Sequence, residues 1–344
     1  MTPKTGAIIP CLNPSHEPSA APEWQRILGA AIRDPAELAD RLGLPRPSPD
    51  AIRANESFRV LVPEPYLKRI QPATPEDPLL LQVLPGAVEM RPVAGYSTDP
   101  LEEQAASAAP GLLSKYHGRV LVITTGSCAV HCRYCFRRHF PYQAARPDQG
   151  LTQLDTYLTE HPEVHEVILS GGDPLTLSDN RLATWGSVIT AHPQVTTLRI
   201  HTRLPVIIPQ RVTSSLLNWL KALPIKVVIV LHANHPNEID EEVHLACKAL
   251  AHHGATLLNQ SVLLKGVNDH ADALAELSEK LFSAGVLPYY LHLLDPVSQT
   301  AHFDLPDQQA IELITTLRNR LPGYLVPRLA REQASAPAKI VLAG

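Results

Sequence analysis

From residue 118 onward, short apolar runs alternate with stretches in which apolar residues recur every third or fourth position. Buried parallel strands read as near-continuous apolar runs, and helices packed on them show the 3.6-residue period, so the alternation predicts β/α units around a parallel sheet. Six units can be counted. Their strands begin at Arg119 (RVLVITT), His165 (HEVILS), Thr196 (TTLRIHT), Lys226 (KVVIVLH), Thr256 (TLLNQSVLL) and Pro288 (PYYLHLL). Helical patterns such as RLATWGSVITAH, SSLLNWLKAL, EEVHLACKALAHHG and ADALAELSEKLFSAG lie between them. Six units are too few for a closed eight-stranded barrel, and chemistry in such folds sits at the carboxyl ends of the strands.

The first hundred or so residues read differently, as Pro-rich connections around two or three helices. In DPAELADRLGL, Asp34 can cap a helix, Pro35 suits its first turn, and Glu37 stands where a capping box wants it. Cys11 in the irregular leader has no partner in sequence. Cys247 shares a helical face with Val243 and Leu250 and reads as core.

Composition narrows the function classes. A chain of 344 residues with 44% apolar content can fill a sizeable core. A formal charge of −4 argues against a nucleic-acid binder that works through a broad basic surface. The start, MTPKTGAIIPCLNPSHE, lacks the features of a signal peptide, and no apolar segment approaches bilayer-spanning length, so a cytoplasmic protein without membrane contact is expected. Five cysteines, three of them clustered, suit a reducing compartment.

The cluster is Cys128, Cys132 and Cys135 of GSCAVHCRYCFRRHF. Three thiolates at CxxxCxxC spacing can grip three corners of a four-iron cluster and leave the fourth iron without a protein ligand. With His131 or His139 as a fourth ligand, the same cysteines form a common structural zinc set, and the chain would then be a non-catalytic interaction protein. Arg133, Arg137, Arg138 and His139 crowd this loop, as a solvated face or as attraction for an anionic ligand. After the second strand, SGGDPL supplies paired glycines that let backbone amides approach a ligand closely; on its own it is equally a tight turn with Asp173 capping the next helix.

The cysteine motif, with Tyr134 just before its last cysteine, resembles the signature of radical S-adenosylmethionine enzymes. That resemblance implies a partial (β/α)6 barrel with an N-terminal helical extension, a 4Fe–4S cluster held by Cys128, Cys132 and Cys135, and bound S-adenosylmethionine. Ser170, Gly171, Gly172 and Asp173 then match the segment that holds its amino group; Tyr134, Arg203, His232 and Gln260 match positions around it. Over roughly residues 90 to 340, the segments CRYCFRRHF, SGGDPL, HTRLP, HANHPNE, LNQSVLLKGVND, PYYLHLLD and LPGYLVPRLA resemble, in order, the lysine 2,3-aminomutase family. STDPLEEQ, PGLLSKYH and GYLVP followed by LARE resemble its branch that makes (R)-β-lysine for modifying elongation factor P; the alternative is the branch acting in free-lysine metabolism.

The resemblance implies roles by position. Arg137 matches the arginine that grips the substrate carboxylate, Asp295 the carboxylate that receives the side-chain ammonium, and Glu332 a second acidic position that is aspartate in the free-lysine enzymes. Lys339 aligns with the lysine that holds pyridoxal 5′-phosphate, although nothing in SAPAKIV distinguishes it from a solvated charge, and Ser335, Ala336, Pro337 and Ala338 fill a gap where those enzymes carry glycines. Lys115 and Arg119 match basic positions around the cofactor phosphate, with Tyr116 between them. Late zinc-binding cysteines of the free-lysine enzymes have no counterpart, so structural zinc is not expected. The implied divisions are a helical extension over 1–100, a barrel over 101–325 and a segment carrying the cofactor lysine over 326–344. Lysine, a reductant protein, elongation factor P and its lysyl ligase are the implied partners.

Overall fold

The computed structural model describes residues 21–145, 149–334, 336 and 338–344; Cys11, Ser335 and Pro337 lie outside them. Ten strands form one sheet: β1 Ser107–Ala109, β2 Leu112–Leu113, β3 Arg119–Thr125, β4 Glu166–Gly171, β5 Thr197–Thr202, β6 Lys226–Leu231, β7 Thr256–Val262, β8 Val286–His292, β9 Arg328–Arg331 and β10 Ile340–Ala343. Their order in the sheet is their order in the chain. β3 through β9 pair in parallel, while β1 with β2, β2 with β3 and β9 with β10 are antiparallel.

Between successive strands from β3 to β9 lie the helices Gly150–Glu160, Asp179–Thr190, Ser214–Ala222, Glu241–His252, Ala271–Ser283 and Asp307–Arg318. When sequential parallel strands are joined by right-handed crossovers, every helix falls on one face and the sheet curls around the other. The six β/α units expected from the sequence are therefore present, as β3 to β8, followed by a seventh parallel strand, β9, that the apolar pattern did not reveal.

Alternate strand residues face the helices. Val120, Val122, Val167, Leu169, Leu198, Ile200, Val227 and Ile229 pack there with Leu154, Leu182, Trp185, Leu216, Val243 and Cys247 in one buried core. The intervening residues point to the concave side, and these include Ser170, Arg199, His201, Gln260, Tyr290 and His292. A polar interior walled by an apolar shell is thus set by the period-2 pattern.

The N-terminal helices join the same core. Asp34 caps Pro35–Leu42, accepting from the Ala36 N–H at 2.9 Å, as its sequence predicts. Trp24, Leu38, Tyr66, Leu79 and Leu80 are buried in the cluster that contains Val120 and Leu198. Among the described residues, no helix is long and apolar enough to cross a membrane.

Candidate functional site

β3 ends at Thr125, and the cysteine loop leaves from the carboxyl edge of the sheet. Its three cysteines carry no disulfide. Two of its arginines turn away from solvent: Arg133 and Arg138 share the buried carboxylate of Glu89, with Arg133 Nε at 2.9 Å from Oε1 and Arg138 Nη2 at 2.9 Å from Oε2. The Arg133 amide donates to the Gln82 carbonyl at 2.8 Å, and the His131 amide donates to that of Leu61. The basic run is therefore neither a solvated face nor a free anion trap. It is the clamp by which the N-terminal region holds the loop.

Arg137 is committed as well. Its Nε and Nη2 donate to the two oxygens of Glu103 at 2.8 and 2.7 Å, and Nη1 donates to Ser170 Oγ at 2.9 Å. The fork by which a substrate carboxylate would be gripped is filled by a carboxylate of the chain itself.

Asp173 accepts hydrogen bonds from Thr202 Oγ1 at 2.7 Å and from the amides of Arg203, Leu204 and Leu175. The amides of Gly172 and Asp173 donate to the carbonyls of Thr125 and Ser127, each at 2.7 Å. Gly171 has φ +121°, and a Cβ on it would meet the Thr125 carbonyl oxygen at 2.4 Å; a Cβ on Gly172 would meet that of Ser127 at 2.3 Å. The paired glycines thus let two backbones touch, so the cysteine loop rests directly on SGGD.

Arg203, on the loop after β5, spans the two. Nη1 lies 2.8 Å from Cys132 Sγ, and Nη2 donates to Gln82 Oε1 at 2.7 Å and Glu238 Oε2 at 2.8 Å. The rings of Tyr66 and Tyr134 lie 5.6 and 5.8 Å from its guanidinium carbon. Asn234 donates to the Tyr134 hydroxyl at 2.7 Å, and its own amide donates to Glu238.

A second group of residues gathers at the last strands. Lys339 pairs with Glu332; Tyr116 donates to Glu332 Oε1 at 3.1 Å, with Lys115 Nζ 3.6 Å from the same oxygen. Burial would raise the Glu332 carboxyl, yet Lys339 and then Lys115 hold it down at about 2. Asp295 is pushed up to about 7, first by burial and then by the Glu332 charge. Lys339 Nζ stands 5.7 Å from the centre of the Tyr290 ring. Arg119 sits at the margin of this group, 3.8 Å from Glu166 and 5.6 Å from the Tyr116 ring centre.

The concave face links the two groups. His232 is held down at about 4, by burial and then by Arg203, Lys339 and Arg137. One half-buried imidazole therefore feels the charges of both groups. His292, held at about 3 by burial and by Lys339, is neutral in the same interior, and so is His201. Gln260 is buried beside Tyr290 in the β7–β8 register.

A 4Fe–4S cluster and a phosphate-bearing cofactor can be tested against these residues. Burial, then neighbouring thiolates, push the Cys135 thiol up to about 12 and the Cys128 thiol well up, a penalty that bound iron cations remove. Among the described residues no three His, Cys, Asp or Glu side chains converge on a single metal ion. A cluster takes one thiolate per corner iron, and three free thiols on one loop are that donor set. Lys339 with Lys115, Tyr116 and Arg119 offers an amine beside cationic and aromatic groups, as an anionic aromatic aldehyde requires.

Glu89, Glu103, Gln82, Glu238, His201, His292 and Tyr290 were not singled out from sequence. Five of them lie inside quoted segments: Glu103 in STDPLEEQ, His201 in HTRLP, Glu238 in HANHPNE, and Tyr290 and His292 in PYYLHLLD. Spacing gave no sign of which charge each would meet.

No protein-family model matches the chain. It is 48% identical over 322 residues to the L-lysine 2,3-aminomutase of Haemophilus influenzae, covering 93% of this chain and 95% of that protein. The protein of the same name from Escherichia coli is 44% identical over 340 residues, with 97% of each covered. That of Clostridium subterminale is 38% identical over 89% of this chain and 74% of its own length. A solved radical SAM methyltransferase from Sphaerobacter thermophilus superposes with a TM-score of 0.46 at 16% identity, over 65% of this chain and 69% of that one.

Proposed function

The chain belongs to the L-lysine 2,3-aminomutase family, and on that premise we propose that it converts (S)-α-lysine to (R)-β-lysine for attachment to elongation factor P. The observation that carries the reading is that Ser170, which accepts from Arg137 of the cysteine loop, and Tyr290, over whose ring Lys339 lies, stand on the same concave face of one sheet. STDPLEEQ and Glu332 favour the elongation-factor branch over free-lysine metabolism. The work belongs in the cytoplasm, with a reductant protein and a separate lysyl ligase as partners.

Cys128, Cys132 and Cys135 would hold a 4Fe–4S cluster, with S-adenosylmethionine against Ser170 to Asp173, Tyr134, Arg203, His232 and Gln260. Lys339 would hold pyridoxal phosphate, with Lys115, Arg119 and Tyr116 near its phosphate. When bound, these groups supply hydrogen-atom abstraction and an extended π-system for nitrogen migration, chemistry that no side chain offers.

The chain's own residues would fix the substrate at both ends. Arg137 faces its carboxylate, and the substrate must displace or share Glu103 to use the guanidinium fork. Asp295, ionised when it meets the ε-ammonium, sets the other end, so the bound length selects which hydrogen is exposed. Glu332 keeps a counter-charge on Lys339 until the amine is exchanged. His201, His232 and His292 stay neutral, so they line the cavity without adding charge. Glu89 and Glu238 neutralise the surrounding arginines, keeping a polar site dry enough for radical chemistry.

The test is anaerobic reconstitution with iron, sulfide and both cofactors, with β-lysine measured by chiral chromatography. Lys339→Ala should lose about a thousandfold or more of product formation. Unchanged turnover would remove Lys339 from the chemistry. Loss of β-lysylated elongation factor P on gene deletion separates the two branches.

A further inference from the structure

We propose that Arg203 sets the reduction potential of the cluster, by donating a charge-assisted hydrogen bond to the sulfur of Cys132. The inference rests on the cofactor reading above, and the observation behind it is geometric: Nη1 is 2.8 Å from Cys132 Sγ. Hydrogen bonds to ligand sulfurs and local charge are among the main levers a protein has on such potentials. The reduced cluster carries one more negative charge than the oxidised one. A cation fixed at a ligand sulfur therefore stabilises the reduced form more and raises the potential.

A structural reading, in which Arg203 serves only to neutralise Glu238, accounts for one edge of the guanidinium. Nη2 is spent on Glu238 and Gln82, whereas Nη1 is turned to the thiol. The donor is also held in place by its other contacts. Tyr66 and Tyr134 flank it, the Asp173 carboxylate accepts its backbone N–H at 2.8 Å, and its side chain is 7% exposed. A donor so fixed needs no reorganisation when the electron arrives, which is the condition under which oriented dipoles and charges act most strongly. In the redox step the cluster takes one electron from an external one-electron reductant, and no bond at Arg203 forms or breaks. Asp173 joins the cluster arm to SGGD through this same residue, making Arg203 a positioning residue for both.

The experiment is a potentiometric titration of the reconstituted protein with dithionite, followed by electron paramagnetic resonance, on wild type, Arg203→Lys, and Arg203→Gln combined with Glu238→Gln. The double variant avoids leaving Glu238 buried without a partner. The midpoint should move to more negative potential in the double variant and, to a smaller extent, in Arg203→Lys, with iron content and absorbance unchanged. An unmoved midpoint with the cluster intact overturns the proposal. A second measurement needs no variant: reduced wild-type protein carrying 15N-guanidinium arginine should show a nitrogen hyperfine coupling, and its absence is equally decisive. A wild-type protein that takes up no cluster would instead sink the cofactor reading itself.

Discussion

The carboxyls of Glu332 and Asp295 are driven to opposite sides of the usual carboxylate range. Glu332 stays ionised down to about pH 2 because burial is outweighed by Lys339 and Lys115, whereas Asp295 reaches about 7 through burial and the Glu332 charge. A carboxyl whose folded-state pKa lies above its ordinary value of 3.8 retains a proton that the unfolded chain has lost. Asp295 therefore lowers stability progressively as pH rises from about 4 to about 7, and its contribution is level above that. Binding the substrate ammonium asks for the ionised form, so below about pH 7 binding must release a proton. Lysine affinity, measured by calorimetry in buffers of different ionisation enthalpy, should fall about tenfold for each pH unit below 7. In Asp295→Asn it should be weaker and flat with pH. A pH-independent wild type would remove Asp295 from the ammonium site.

The loops, more than the strands, carry the site's precision. Gly171 and Gly172 allow the turn after β4 to lie against the start of the cysteine loop, and a methyl group on Gly172 would meet a backbone oxygen at 2.3 Å, where no flexible side chain can yield. Gly172→Ala should cost about 1–3 kcal/mol in denaturant unfolding, in the range of local backbone strain, and should lower the iron bound per chain after reconstitution. Normal iron content would show that the two loops can part without harm. The strands β3 to β8 were legible in the sequence because buried parallel strands are apolar runs bounded by turns. β9 was not, because its four residues RLAR have arginine at both ends and no apolar run to report. The cysteines were legible because their spacing is itself the chemical constraint. Lys339 and the pairing of Arg137 with Glu103 were not, since partners 34 residues apart in one case, and a lone lysine just ahead of the short strand β10 in the other, leave no periodic trace.

At the scale of the whole molecule, the N-terminal helices and the barrel are bound by charge as well as by apolar packing. Glu89 shares its single negative charge between Arg133 and Arg138, with all three side chains fully buried. Glu89→Gln leaves two guanidinium groups sharing a neutral amide, and removing one partner from a buried ion pair costs about 3–5 kcal/mol. The expected result is a matching loss in chemical unfolding, with the cysteine loop opening to limited proteolysis before the barrel. Equal loss at both places would mean that the loop and barrel melt as one unit.

The sheet's order has a consequence for how the protein is made. Since every strand pairs with the one before it in the chain, the sheet can be laid down from one edge as synthesis proceeds. Tyr66, Gln82 and Glu89 leave the ribosome ahead of the cysteines they anchor, whereas Glu332 and Lys339 follow the parallel strands β3 to β9. A nascent chain arrested ahead of Lys339 would have the cysteine loop seated on Glu89 and still lack that amine. Assembly thus seats the cysteine loop first and brings Lys339 to Glu332 only afterwards.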